Sequence, residues 1–146
     1  MLDGARTVSY THLDVYKRQE QAFLLIFEKS FREESMEEII EAAVEARAIR
    51  EDAFSTAVAC GVCEKREELD ALIEKNLINW EKKRVSRVAL ALLRMAVYEM
   101  KFVSDVPVSV SINEAVELAK KYAGDEESSF VNGVLGSLAR QEEAAL

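Results

Sequence analysis

The sequence has little of several residues that would otherwise open many chemistries. Among 146 residues there are one proline, five glycines, two cysteines and one histidine. So little proline and glycine excludes collagenous and low-complexity chains and leaves long stretches free to be helical. With His12 as the single histidine, no serine–histidine or cysteine–histidine nucleophile constellation stands out, and no Gly-rich phosphate loop is present. Cys60 and Cys63 form the segment CGVC. A redox pair, however, wants a βαβ context, and a zinc site wants two further ligands at suitable spacing. Both cysteines fall in a helical apolar pattern with Ala57, Ala59 and Val62 and are read as packing thiols. No catalytic residue, metal or cofactor is therefore expected. There is no run of eighteen apolar residues, and the first thirty lack an apolar core ending in a small-residue cleavage site. The expectation is a cytoplasmic, soluble chain with no membrane partner.

What is present points to an all-α protein. Apolar residues make up 49% and charged residues 32%, enough for one domain with a sizeable core. The net charge of −8 argues against sequence-blind nucleic-acid binding, which depends on cations that neutralise phosphates. Its distribution is uneven. Asn79 to Val103 holds six basic residues (Lys82, Lys83, Arg84, Arg87, Arg94, Lys101) against Glu81 and Glu99, a local +4 in a chain otherwise at −12. That stretch either faces a polyanion or is ordinary solvated surface.

Periodicity places the elements. After Thr11, a candidate cap, QEQAFLLIFEKSF carries an apolar stripe of Ala22, Phe23, Leu25, Ile26 and Phe27. Ser35 with Glu38 three residues on forms a capping box for a second helix. Asp52 to Leu77 is a helix or helix pair with a bend near Arg66-Glu67-Glu68, and a charged connector follows with Trp80 as its anchor. VALALLRMAVYEM, apolar on nearly all sides, should be the central helix, and its few polar atoms need partners. Pro107 ends that block, VPVSVS reads as an extended connector, and Ser111 with Glu114 makes a second capping box. Gly124 stops this fifth helix, and the sixth begins near Asp125 to Ser128. Gly133, within the sixth, suggests close approach of another backbone or a tolerated defect. On residues alone, Arg94 must reach Glu99 or another carboxylate, or emerge onto a surface. Phe27 and Phe130 can each be simple core residues.

The segments LLRMAVYEM, DVPVSVSINEAVELAKKY and SSFVNGVLGSL, in that order, resemble the C-terminal half of the NusB family of bacterial transcription antitermination factors, and the likeness runs from about Glu20 to Ala139. The resemblance implies two packed three-helix subdomains. It implies binding of boxA-containing single-stranded RNA together with a small-subunit ribosomal protein acting as Nus factor E, so that the elongating RNA polymerase is modified against termination. It also implies roles for residues. Phe130 would stack on RNA beside Ser129, Arg94 would stand at the RNA edge, Phe27 would lie near the same surface, and Lys17 and Arg18 would supply N-terminal charge. Glu99, Asn113, Glu114, Asn132 and Gly133 would form the structural motif, with the two asparagines tying helix ends to neighbouring backbone.

Three departures qualify that likeness. Residues 1–19 form an atypical N-terminal segment ahead of the NusB-like domain at 20–146. Within it VSYTHLDVYKRQ resembles a translated sequencing-adapter remnant rather than the family's arginine-rich start, and Gln19 stands in place of an arginine. Ala89-Leu90 replaces a common acidic-basic pair, and Ser129 replaces a common lysine. These changes imply weaker RNA binding by this chain alone. Two other readings compete: the NusB-like RNA-binding domain that some rRNA cytosine methyltransferases carry, although no cofactor-binding βαβ pattern follows, and a plain helical protein-interaction module.

Overall fold

In the computed structural model the described residues are 3–77 and 84–145, with side chains described from 16 to 77 and from 84 to 142. Seven helices are found among them: α1 (Asp3–Lys29), α2 (Met36–Glu45), α3 (Ala53–Glu64), α4 (Arg66–Lys75), α5 (Arg87–Phe102), α6 (Val108–Tyr122) and α7 (Asp125–Ala145). Helices α1 to α3 pack on one another, as do α5 to α7, so the expected pair of three-helix units is present. Helix α4 lies against α3, α5 and α7, while α1 reaches across to α5 and α6. Trp80, Glu81, Lys82 and Lys83, part of the expected connector and basic stretch, lie outside the described residues.

Local signals explain most of the helix ends. Ser35 accepts from the Glu38 amide at 3.1 Å and the Glu38 carboxylate accepts from the Ser35 amide at 3.0 Å, which completes the capping box of α2. Asp52 accepts from the Ser55 amide at 2.8 Å at the head of α3, and Ser86 accepts from the Ala89 amide at 3.0 Å at the head of α5. The expected bend in the third block is a break at Lys65, so that Arg66 to Glu68 form the first turn of α4. Gly124 ends α6 with φ at 109°, a conformation that side chains with a Cβ disfavour.

Helix α5 is the central helix. Ala89, Ala91 to Val97 and Glu99 are all buried along it, as an element apolar on every side requires. Among the core side chains around it are Phe23 of α1, Val58 of α3, Leu69 and Ile73 of α4, Leu118 of α6 and Leu135 of α7.

The structure corrects four expectations. The first helix does not start at a Thr11 cap, since α1 runs from Asp3 through the atypical segment. VPVSVS is not an extended connector, because α6 begins at Val108 behind Pro107. The fixed φ of proline suits a helix start, and buried Ser111 shares a face with Ala115, Leu118 and Ala119. Counting Ser111 as polar had hidden that helical period. Ser111 is thus inside the helix and caps nothing, so the Ser111–Glu114 capping box is absent. Gly133, finally, is exposed and a Cβ there would meet nothing within 4 Å. The close approach occurs at Gly61, where a Cβ would fall 2.2 Å from the Tyr98 hydroxyl.

The two glycines should therefore respond oppositely to alanine. Gly133→Ala is expected to stabilise by about 0.5–1 kcal/mol through helix propensity, and Gly61→Ala to destabilise by about 1–3 kcal/mol because the Tyr98 ring must move. Urea unfolding midpoints of the two variants check both signs.

Candidate nucleic-acid interface

Phe23 and Phe27 stand four residues apart on α1, a spacing that stacks them along one face of a helix, and Phe31 follows in the turn just past its end. Phe23 and Phe27 have ring centroids 5.8 Å apart, Phe27 and Phe31 meet edge to face at 5.0 Å, and Tyr122 at the end of α6 lies 5.2 Å from Phe23. The row runs outward: Phe23 is fully buried, Phe27 half-buried, and Phe31 is 59% exposed. Arg87, the first residue of α5, places its guanidinium 4.5 Å from the Phe31 centroid and donates to the Ser30 carbonyl at 2.6 Å. Ser86 beside it donates to Glu127 in the first turn of α7. Three helix ends are thereby gathered: the C-terminus of α1 and the N-termini of α5 and α7.

Phe130 follows Glu127 by one turn. It is half-buried and packs against the core, with exposed Ser129 next to it. Aromatic rings with exposed edges suit base stacking, and helix N-termini favour phosphate. The opposing influence is Asp125, Glu126 and Glu127, all in the first turn of α7.

The other anticipated residues lie elsewhere or do other work. Lys17 is exposed, and Arg18 is bound to Asp52 at 2.9 Å at the head of α3. Nine residues of helix separate Arg18 from Phe27, on the order of 14 Å. Glu20 ties α1 to α6 by accepting from Lys121 and from the Tyr122 hydroxyl, each at 2.6 Å. Burial pushes its carboxyl up, but those two bonds outweigh burial and hold it below its ordinary value.

Arg94 is buried, and its fork grips Asp70 of α4 through two bonds of 2.7 and 2.9 Å. It reaches neither Glu99 nor open surface. Such a bidentate pair is a strong charge-assisted contact, and it makes Arg94 a brace between α4 and α5. Glu99 is fully buried, and both its oxygens accept from the Gln19 amide of α1, at 2.9 Å each. Asn113 and Asn132 are exposed and tie no helix end to neighbouring backbone among the described residues. Ala89, at one of the departures from the family pattern, is buried, so no polar group is missing from the surface there.

Sequence reasoning passed over Asp70, Phe31 and Glu20. The signal for Asp70 was an acid set between Leu69 and Ile73 on the apolar face of its helix. The signal for Phe31 was its place four residues beyond Phe27.

Comparison with known proteins places the whole fold in a family. The NusB family model matches residues 16–140. The chain belongs to the NusB family. The transcription antitermination protein NusB of Clostridium botulinum (strain Kyoto / Type A2) is 38% identical, over 84% of this chain and 96% of that protein. The NusB of T. maritima superposes with a TM-score of 0.74 at 31% identity, covering 90% of this chain and 96% of its own. Antitermination factor NusB, solved with NusE and double-stranded RNA, superposes with a TM-score of 0.77 at 28% identity, over 86% of this chain and 96% of that one. Among the described residues no helix is long and apolar enough to cross a membrane.

Two consequences concern the NusB core. Replacing Asp70 by alanine leaves the buried Arg94 guanidinium uncompensated and should cost about 3–5 kcal/mol, read from denaturant unfolding; a loss below about 1 kcal/mol would mean the pair is solvated.

The second concerns Glu99. Burial pushes its carboxyl up to about 7, with hydrogen bonding by Gln19 and Ser111 opposing and the Glu114 charge adding to the rise. The folded state thus holds a proton that the unfolded chain releases near 4.5. Stability is fully present below that value and falls as pH rises from about 4.5 through 7, by roughly 3 kcal/mol from this group. Glu99→Gln keeps a neutral side chain of the same shape there at every pH. Melting curves between pH 5 and 8 should show the variant more stable than the parent at pH 8 and flatter with pH; parallel curves would contradict the assignment.

Proposed function

We propose that this chain is a transcription antitermination factor that binds boxA-containing single-stranded RNA jointly with the small-subunit ribosomal protein that serves as Nus factor E. Bound in the elongation complex, it modifies RNA polymerase against termination and catalyses nothing itself. The observation that carries this reading is membership of the NusB family together with the aromatic end built from Phe27, Phe31, Arg87 and Phe130. A NusB relative of the same fold binds NusE and RNA, which supports the same two partners here.

In this mechanism the bases of boxA stack on Phe130 and on the outer rings of α1, since splayed bases offer a π-face to any aromatic side chain. Ser129 offers a hydroxyl beside them, and the N-terminus of α5, which carries no acidic residue in its first turn, faces the phosphates. Lys17 and Arg18 contribute charge from further along α1. Arg94 acts indirectly, by holding α4 on α5.

Phe130→Leu tests the site, because leucine keeps the apolar packing and removes the aromatic face. Binding of boxA RNA is expected to weaken by about 1–3 kcal/mol with the melting curve little changed, and a scrambled RNA should bind more weakly to the parent chain. Equal binding of both RNAs by parent and variant would sink the reading.

A further inference from the structure

A cleft of about 590 Å3 opens between the end of α1, the start of α4 and the start of α5, a volume in the range of ligand-binding pockets. Its walls carry five cations, Lys29, Arg32, Arg66, Arg87 and Arg94, and no acidic residue lines it, in a chain whose net charge is −8. So marked a local excess of one sign in a concave surface concentrates field and counter-ions there.

The five cations are not equivalent. Arg94 is committed to Asp70 at the inner wall, and Arg32 is bound to Glu28 at 2.8 Å and Glu34 at 3.6 Å. The remaining three keep donors to spare. Lys29 donates to the Arg32 carbonyl at 3.3 Å, and Arg66 is mostly exposed with its Nε 4.0 Å from Asp70. Arg87 gives one nitrogen to Ser30 and holds its plane over the exposed Phe31 ring. Three cations with free donors around a cleft match a phosphate, and Arg87 links the cleft to the Phe31 ring it faces.

We propose that this cleft is a phosphate-binding site for the backbone of an RNA segment that continues past the aromatic end, with Lys29, Arg66 and Arg87 as the contacting cations. The ligand's identity rests on the RNA-binding reading above; the anion site itself does not. Arg87 belongs both to the cleft and to the Phe31 contact, so the strand would pass from the Phe31 ring over Arg87 to Arg66. It adds a sequence-independent contact to the stacking site, since backbone contacts position a nucleic acid without reading it.

The test is the salt dependence of binding of a boxA oligonucleotide extended at either end, for the parent chain and for Lys29→Ala, Arg66→Ala and Arg66→Lys. Each alanine variant should weaken binding at low salt and lower the slope of log affinity against log salt by about 0.7 for each phosphate of the single strand left without its cation. Arg66→Lys should retain the slope. Phe130→Leu should weaken binding with the slope unchanged, which separates the two sites. Slopes equal to the parent's in both alanine variants would overturn the cleft assignment while leaving the RNA reading intact. If the parent binds no RNA, that reading fails, and inorganic pyrophosphate decides the cleft alone. Shifts of the Ser30, Arg66 and Arg87 amide resonances that vanish in Arg66→Ala then uphold an anion site, and unmoved resonances reject it.

Discussion

The bidentate bond between Arg94 and Asp70 fixes α4 on α5, and the remaining architecture is arranged around the helix it anchors. Helix α5 is buried on every side yet carries two ionisable groups in its interior, Arg94 and Glu99. A lone charge there would be strongly destabilising, so each needs a partner from another element. Asp70 meets Arg94 from α4 on one side and Gln19 meets Glu99 from α1 on the other. These two contacts and the apolar packing between them set the register of α1, α4 and α5. The two solutions differ in quality. Arg94 is answered by an opposite charge, whereas Glu99 meets only neutral groups, the Gln19 amide and Ser111, which do not offset its burial, and its carboxyl is pushed up.

That register carries through to the end of the molecule where function is expected. Because α5 is held in place, Arg87 at its first residue meets Ser30 and Phe31 at the end of α1, and Ser86 meets Glu127 of α7. The aromatic row from Tyr122 to Phe31 then ends at Arg87, and cations from the end of α1, from α4 and from α5 line one cleft. A chain acidic overall can thus offer a concentrated positive surface without changing its net charge. Aromatic rings and cations meet at Arg87, an arrangement that would suit a single strand.

The helices were largely legible in the sequence because their caps and stripes are local. The Ser35–Glu38 box, the stop at Gly124 and the all-round apolar α5 needed no tertiary information. Helix α6 was misread at its start because Ser111, polar in the sequence, is buried on the inner face of the helix toward Glu99 of α5, a neighbour that only the fold supplies. The partner of Arg94 was not legible, since Asp70 lies 24 residues away and only the fold brings them together. The same applies to Gln19, which stands out in the sequence as a departure from the family pattern but is fully buried against Glu99. Phe130 was named through family resemblance, while Phe31 and Arg87 emerge as neighbours only from the way α1 and α5 end. Gly133 shows the reverse error: an apolar context suggested a tight contact where the helix face is open.

The central claim is that this end of the molecule holds boxA RNA in a site shared with a ribosomal protein. The most direct measurement is titration of boxA RNA and a scrambled control into the chain, at one stated salt concentration, with and without the purified Nus factor E. The account predicts selective binding of boxA that tightens when the ribosomal protein is present, since a composite site couples the two partners. Binding of the ribosomal protein with no preference for boxA, and no change in RNA affinity, would contradict it and leave a helical protein-interaction module.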